Sequence, residues 1–318
     1  MFAMAAPFYD FSSPELKPWH LKATYQLYDE KGKPSEQGIY EYWWASPKVY
    51  RSTWTRPGAT HTDWHTADGK HWSQATGKPI EFFERSLSSM LLSPLPSADE
   101  LDPAKAKLSR ETVKLGGLQY PCIIVEPHDV TRGPMTTSPL GIFPTYCFDP
   151  QSPVLRFRYA SGAMTTVFDR IAKVQGRYLP FEFQLLNGRS KILDATVNTV
   201  AGLAPSDPAL TPSTAASIAR PDEVQISAGV AVGNLVKKEA PPYPQDAKGA
   251  RVSGTVVLQA KIGLDGKVRE LHVVSSPSFS LAASAIEAVS HWEYKPFKLN
   301  GEPVEVETIV NVIFELGG

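Results

Sequence analysis

Short segments in which apolar and polar residues alternate follow one another from Pro18 to about Val200. Leu21–Tyr28 and Gly38–Ala45 are two such segments, separated by a break at Gly32. Alternation with a period of two is typical of strands with one face buried. There are about ten such segments, without the helical spacers that βαβ units need, so they predict a mostly antiparallel, strongly curved sheet.

One stretch in this half departs from the alternation. Between Ile80 and Leu92, the apolar residues Ile80, Phe83, Leu87 and Leu91 recur at spacings of three and four. This is the spacing of one face of an amphipathic helix. We therefore expect a helix that covers one face or mouth of the curved sheet as a lid.

The composition changes between Ala201 and Asp222, where Ala, Pro, Ser and Thr dominate. Few of these side chains can contribute to a hydrophobic core, so the segment has the character of an interdomain linker. The predicted organisation is a β-rich domain over residues 12–200, a linker over 201–222 and a second domain over 223–318.

In the last domain, turn and cap residues separate the predicted elements clearly. Alternating residues predict strands at Gly254–Ile262 and Val268–Ser275, joined by a turn at Leu264–Lys267. Ser280 can cap a following amphipathic helix, and a long alternating strand ends the chain. The order is β-β-α-β, so the whole chain is assigned to the α+β class.

These residues carry a resemblance to a known family. The runs Ala240-Pro-Pro-Tyr-Pro, Ile262-Gly-Leu-Asp-Gly-Lys-Val, Trp292-Glu-Tyr-Lys-Pro and Asn300-Gly-Glu-Pro-Val, in this order and spacing, closely resemble the TonB C-terminal domain family. The positions that match the family motif are Tyr243, Pro244, Gly254, Asp265, Gly266, Trp292, Pro296, Asn300, Gly301 and Pro303.

The resemblance implies a periplasmic module that binds outer-membrane TonB-dependent transporters or other envelope proteins. In this family a short partner segment is accepted as an added β-strand. The implied edge is the long final strand, with partner-binding residues Glu305, Glu307, Ile309, Asn311 and Ile313. The chain shows no membrane anchor and no long Pro-Lys or Pro-Glu spacer, so coupling to proton-motive force does not follow from the resemblance.

The N-terminal half resembles lipoprotein carriers of the LolA and LolB type more weakly. The resemblance rests on the strand-rich plan, the aromatic residues Trp43, Trp44 and Trp54, and the lid segment Glu81–Arg85. It implies an apolar hollow that can hold a hydrophobic ligand. The alternative function is therefore a periplasmic lipid or lipoprotein carrier in which the TonB-like domain is a docking module. The sequence leaves open whether the aromatic residues form a core or line such a cavity.

The chain has two cysteines, Cys122 and Cys147, each in apolar or aromatic surroundings. Two cysteines cannot form a structural zinc site, and no CxxC motif is present, which leaves a disulfide or two buried thiols. The export that the family resemblance implies favours the disulfide. We expect a protein of the periplasm or cell envelope.

Several function classes find no support in the sequence. The formal net charge of −1 provides no basic field for nucleic acid. His61, Asp63 and His65 could share one face of a strand and hold a metal, but an exposed polar face is the favoured interpretation. No phosphate loop, dinucleotide fingerprint or nucleophile elbow occurs, so we predict no enzyme, no metal and no cofactor.

Overall fold

The computed structural model describes residues 1–29, 31–134, 140–160, 164–219 and 223–316. The chain forms two compact units. Unit 1 contains Met1–Leu95, Gln151–Phe157 and Thr166–Arg220, and unit 2 contains Pro96–Pro150, Arg158–Thr165 and Pro221–Gly318.

The elements up to residue 219 are mostly strands. A short helix α1 and a 3₁₀ turn at Ala6–Phe8 precede them, and a second 3₁₀ turn lies at Pro208–Leu210. In chain order the helices and strands are α1 Phe2–Ala5, β1 Trp19–Tyr28, β2 Pro34–Ser46, β3 Val49–Arg56, β4 Ala59–His65, β5 His71–Gly77, α2 Phe82–Arg85, α3 Leu87–Leu92, β6 Ala106–Leu115, β7 Leu118–Pro127, β8 Thr145–Phe148, β9 Leu155–Tyr159, β10 Met164–Val174, β11 Arg177–Asn187, β12 Ser190–Gly202 and β13 Ser217–Ile218.

The elements of the C-terminal region are shorter on average. They are β14 Glu223–Gln225, α4 Ala228–Gly233, β15 Leu235–Lys237, α5 Gln245–Gly249, β16 Gly254–Ile262, β17 Val268–Ser275, α6 Phe279–Ser290, β18 Glu293–Tyr294, β19 Lys298–Leu299, β20 Glu302–Pro303 and β21 Glu305–Phe314. In the described part of the chain, none of the helices is long and apolar enough to span a membrane.

Unit 1 is built on one large curved sheet, in the strand order β13-β5-β4-β3-β2-β1-β12-β11-β10. Strand β1 pairs antiparallel with β2 on one side and β12 on the other. Its side chains alternate strictly between buried and half-buried, as the sequence pattern requires. The predicted curved antiparallel sheet is confirmed.

The lid consists of two short helices rather than the single helix expected over Ile80–Leu92. The break falls at Ser86, whose Oγ donates a hydrogen bond to the carbonyl of Phe82. Leu87 and Leu91 are fully buried, so the predicted apolar face does pack inward. Hydroxyl bonding to the preceding turn competes with helix geometry, which accounts for the interruption.

Residues 201–219 do not behave as a linker between domains. Leu210 is buried, and β13 pairs with β5 at the edge of the unit 1 sheet. The carbonyl of Ala209 accepts hydrogen bonds from Trp64 Nε1 (3.0 Å) and Arg51 Nη1 (3.3 Å). One buried leucine and two side-chain donors therefore hold a segment whose composition alone predicted a linker.

The domain division also differs from the one expected. Residues 96–150, assigned from the sequence to the N-terminal domain, belong to unit 2. Ile142 and Phe143 lie in the same hydrophobic cluster as the C-terminal core, and the backbone of residues 129–131 bonds to Ser276. Within this part of unit 2, β7 pairs antiparallel with β6 and β8, and a disulfide joins Cys122 to Cys147 directly across β7 and β8.

The C-terminal sheet has the order β14-β21-β16-β17, with β16 antiparallel to both β17 and β21. Helix α6 packs on one face through Leu281, Ala285 and Val289, all fully buried. The β-β-α-β order is as predicted, but the N-cap of α6 is Ser278 rather than Ser280, since Ser278 Oγ accepts a hydrogen bond from Leu281 N–H. The sequence of Val230–Val236 resembles a short strand, but helix α4 extends to Gly233, because Ser227 caps it and Ala231 is buried, and strand β15 begins only at Leu235.

Candidate functional site

The two hydrogen-bonding edges of the final strand β21 differ in how they are paired. Along its length it pairs with β16, from Gly254 opposite Phe314 to Ile262 opposite Val306. On the other side, Ile226 N–H donates to the carbonyl of Glu307 at 2.9 Å. Backbone groups of successive strand residues point to opposite sides, so the odd-numbered residues of β21 direct their N–H and C=O groups away from β16.

These odd-numbered residues are the five that the sequence assigned to partner binding. The structure places them in two groups. Glu305 and Glu307 are already paired with β14, which runs parallel to β21 with Glu223 opposite Glu305 and Gln225 opposite Glu307. For the other three, Ile309, Asn311 and Ile313, no paired strand lies on that side among the described residues.

The side chains around this edge are partly apolar. Ile309 is 38% exposed and Ile313 is 64% exposed, whereas Val310 and Val312 between them are buried in the core. An incoming strand at this edge would thus meet backbone donors and acceptors, flanked by two aliphatic side chains that are exposed to solvent.

A charged cluster surrounds the paired half of the edge. Lys261 Nζ lies 3.2 Å from Glu223 and 3.8 Å from Glu270, and Gln225 Nε2 donates to Glu307 at 2.7 Å. Burial and the hydrogen bond with Glu307 raise the pKa of Glu223 to about 7, against the opposing effect of Lys261. Although burial opposes it, hydrogen bonds from Glu223 and its neighbours lower the pKa of Glu307. The arrangement favours a protonated Glu223 that donates to a charged Glu307.

Two aromatic residues of the family motif anchor the small core. Tyr243 donates from its hydroxyl to the carbonyl of Val252 at 2.6 Å and packs edge-on against Phe314. Trp292 is 5% exposed and donates from Nε1 to the carbonyl of Glu239 at 2.8 Å. Both residues hold the segment before β16 against the sheet.

Two turns account for other motif residues. Gly266 has φ +84°, and a Cβ there would lie 2.0 Å from the carbonyl oxygen of Tyr294. Asp265 accepts from Arg269 at 2.7 Å in the same turn, and Asn300 (φ 53°) and Gly301 (φ 89°) form the turn between β19 and β20. Of the remaining motif residues, Pro244 is the N-cap of α5 and Gly254 is the first residue of β16. Pro296 is exposed after β18, and Pro303 ends β20.

A second polar cluster lies under the lid in unit 1, and the sequence analysis missed it. Glu84 of α2 is 0% exposed, and it accepts from Tyr25 Oη (2.7 Å), from Arg56 Nε (3.0 Å) and from its own helix start at Glu81 N (2.7 Å). Arg56 also donates to Glu36 at 2.5 Å. The capping-box spacing from Glu81 to Glu84 was a signal available in the sequence.

The aromatic residues of the sheet divide by face. Trp19, Tyr40, Trp44 and Trp54 lie on one face of the sheet, where Trp54 Nε1 donates to the carbonyl of Glu84 in the lid, and each is at most 4% exposed, so they form a packed core. Trp43 points to the other face, where His20 stacks on it and the Arg51 guanidinium lies 4.2 Å from its ring centre. In this structure the aromatic residues beneath the lid therefore pack as core.

The histidines of β4 have partners within the sheet. His61 Nε2 lies 3.0 Å from the Asp63 carboxylate, and the His65 ring stacks between Tyr50 and His71. The described residues contain no group of three or more His, Cys, Asp or Glu side chains arranged to hold a metal ion.

The C-terminal region of the chain is similar to known proteins. Residues 239–316 match the family model for the Gram-negative bacterial TonB protein C-terminal domain. The Protein TonB of Vibrio cholerae serotype O1 is 30% identical over 79 residues, which are 24% of this chain and 32% of that protein. The chain thus spans about a third of the length of this relative.

Similarity to solved structures is weaker. A DUF1329 family protein from Desulfovibrio piger covers 66% of this chain and 97% of its own, at 12% identity and a TM-score of 0.41. A LolA superfamily protein from Nitrosomonas europaea covers 66% of this chain and 96% of its own, at 8% identity and a TM-score of 0.40. A putative outer membrane lipoprotein-sorting protein domain from Vibrio parahaemolyticus covers 58% of this chain and 85% of its own, at 9% identity and a TM-score of 0.36.

Proposed function

We propose that this chain, whose residues 239–316 form a TonB-type C-terminal domain, binds an extended segment of another cell-envelope protein as an added strand on β21. An outer-membrane transporter is the proposed partner. The observation that supports this role is the outward-facing backbone at Ile309, Asn311 and Ile313, which has no paired strand among the described residues.

Strand addition suits the chemistry of this edge. Each unpaired N–H and C=O along it can form a backbone hydrogen bond, and such bonds do not depend on the identity of the partner side chains. The exposed aliphatic side chains of Ile309 and Ile313 add apolar contact on one face. The proposed role is binding rather than catalysis.

The proposed location is the periplasm. The disulfide between Cys122 and Cys147 supports it, since disulfides persist in oxidising compartments. The family match of residues 239–316 points to the same compartment.

A hydrophobic ligand in unit 1 is the second candidate function. The observation that favours it is the pair of lid helices, which cover an aromatic sheet face and are held there through the polar contacts of Glu84. Because the aromatic residues of this sheet face are buried, a ligand would reach them only after α2 and α3 move. Solvent extraction of the purified protein followed by mass spectrometry of lipids tests this candidate, and a lipid-free extract would count against it.

The docking edge is tested by two substitutions at one position. The N–H of Asn311 points away from β16, so Asn311→Pro removes an edge donor without taking a bond from the sheet. With a synthetic peptide of the periplasmic N-terminal segment of a transporter from the same genome, we expect Asn311→Pro to weaken binding by about tenfold or more, a loss typical of one or two hydrogen bonds. Asn311→Ala should bind within about threefold of the parent, because the backbone is unchanged.

The control for this test is folding. Circular-dichroism melts must show Asn311→Pro folded, whereas Val310→Pro, whose N–H points to β16, should unfold the sheet. A folded Asn311→Pro protein that binds the transporter peptide like the parent would rule out β21 as the docking edge.

A further inference from the structure

The N-terminal part of the docking edge is occupied by the chain itself. Segment Glu223–Ile226 runs parallel to β21, with Val224 opposite Val306, and its last amide donates to the carbonyl of Glu307. It therefore lies on the side of β21 where an added partner strand would lie.

The segment is held by few interactions. It pairs with β21 at three positions, whereas β16 pairs with β21 at nine. Val224 and Ile226 are partly buried against the C-terminal core, and Gln225 between them is exposed. Its polar contacts are those of Gln225 with Glu307 and of Glu223 with Lys261 and Glu307, and these side chains are partly open to solvent. Open ion pairs of this kind contribute little to stability.

We propose that Glu223–Ile226 is an internal competitor for the docking edge, and that a partner strand binds by displacing it. This inference rests on the proposed function of β21. The segment occupies the outward backbone groups at Glu305 and Glu307, which are two of the five positions that a partner would use. A partner that pairs along the whole edge must remove it.

The internal segment also shows the kind of partner that fits. It runs parallel to β21, directs two aliphatic side chains toward the core and presents a polar side chain between them. A displacing partner should be an extended peptide in the same direction, with aliphatic residues at positions i and i+2 and a polar residue at i+1.

The test uses the full chain and a peptide copy of the segment. The probe is a fluorescein-labelled peptide with the sequence of residues 222–230, Asp-Glu-Val-Gln-Ile-Ser-Ala-Gly-Val. Ile226→Pro removes the amide that bonds to Glu307 and should free the edge. Gln225→Pro is the matched control, because the amide of Gln225 points away from β21.

We expect the probe to bind Ile226→Pro at least about tenfold more tightly than it binds the parent or Gln225→Pro, since only the first variant offers an empty edge. Equal affinity for all three proteins, or no binding to any of them, overturns the inference. A probe peptide with Pro in place of its Ile should not bind, which shows that binding uses the strand backbone. Unchanged melting of the C-terminal core shows that Ile226→Pro remains folded.

Hydrogen exchange of the Ile226 amide separates this inference from the proposed function. If the transporter peptide binds the parent and exchange at Ile226 accelerates, displacement is supported. If that peptide binds while exchange at Ile226 is unchanged, β21 is a docking edge but the internal segment is not displaced. If it binds neither the parent nor Ile226→Pro, the proposed function fails, whatever the peptide copy shows.

Discussion

Two polar clusters with similar chemistry lie in very different surroundings. Under the lid, the side chains of Glu84 and Arg56 are 0% and 4% exposed and are bonded at 3.0 Å. At the edge of β21, the side chains of Glu223 and Lys261 are 27% and 31% exposed and lie 3.2 Å apart. The N···O distances of the two pairs are similar, but only in the second pair can water replace the partner of each side chain.

This difference separates a fixed contact from an exchangeable one. Breaking a buried ion pair leaves a charge without water, whereas water solvates the members of an open pair when they separate. Opening the lid therefore means breaking the buried contacts of Glu84, and releasing the segment at β21 does not. This contrast supports strand exchange at the edge more strongly than ligand entry beneath the lid.

The largest expected effect is at Glu84. Glu84→Ala removes the fully buried partner of Arg56 and leaves it the partly exposed Glu36, and we expect the free energy of unfolding to fall by about 3–5 kcal/mol. The matched control is Glu182→Ala, which breaks an open pair with Arg170 (2.9 Å) and should cost about 0.5 kcal/mol or less. Urea unfolding followed by tryptophan fluorescence measures both. Similar losses in the two variants would remove the distinction between fixed and exchangeable contacts.

The next effect concerns a covalent contact, the disulfide of unit 2. Replacing Cys122 and Cys147 together by Ser opens a link between residues 25 apart in sequence. The chain-entropy model gives a loss of about 3 kcal/mol, which chemical denaturation of unit 2 should show. Thiol titration of the denatured, non-reduced parent should detect no free thiol, and two free thiols would contradict the structure.

The smallest effect is a dependence on pH at the edge. The pKa of Glu223 is raised to about 7 while the segment is docked, so docking takes up a proton. This stabilisation is complete below the ordinary carboxyl pKa and is lost as pH rises through about 7. Protection of the Ile226 amide, corrected for intrinsic exchange, should fall between about pH 5 and pH 8.

Other charged groups face Glu223 and must be separated from it. Lys261 and Glu270 lie on the neighbouring strands, Glu305 and Glu307 on β21, and His272 lies 3.1 Å from Glu270. Glu223→Gln should flatten the pH dependence, and His272→Gln should preserve it. The reverse result would assign the titration to the histidine.

The sequence predicted those parts of the fold in which many residues carry one pattern. Gly254–Ile262 and Val268–Ser275 appear with the predicted bounds, because alternation over eight or nine residues is hard to mistake. The curved sheet of unit 1 follows from the same signal.

The features that were missed each depend on one or two residues and a distant partner. β14 is three residues long, and its pairing is decided by β21, about 80 positions later, so no local pattern marks it. Leu210, the donors Trp64 and Arg51, and the pairing of β13 with β5 hold the segment that composition assigned to a linker. Val230 and Val232 have the β-branched side chains typical of a strand, but the Ser227 cap and the buried Ala231 favour helix α4, and the strand starts only at Leu235. Tertiary context overrode local preference in each case.

Helix α4 determines how far the internal segment can travel. Ala231 is buried, the carbonyl of Asn234 accepts from Lys295 at 2.8 Å, and Leu235 pairs with Tyr294. A displaced Ile226 thus stays tethered to the domain only five residues from a fixed point. Tethers this short hold a ligand at an effective concentration on the order of millimolar, so the segment rebinds within its own molecule. Under the proposed exchange, a partner present at micromolar concentration must bind the edge far more tightly than the segment does, and weakly binding strands would be excluded.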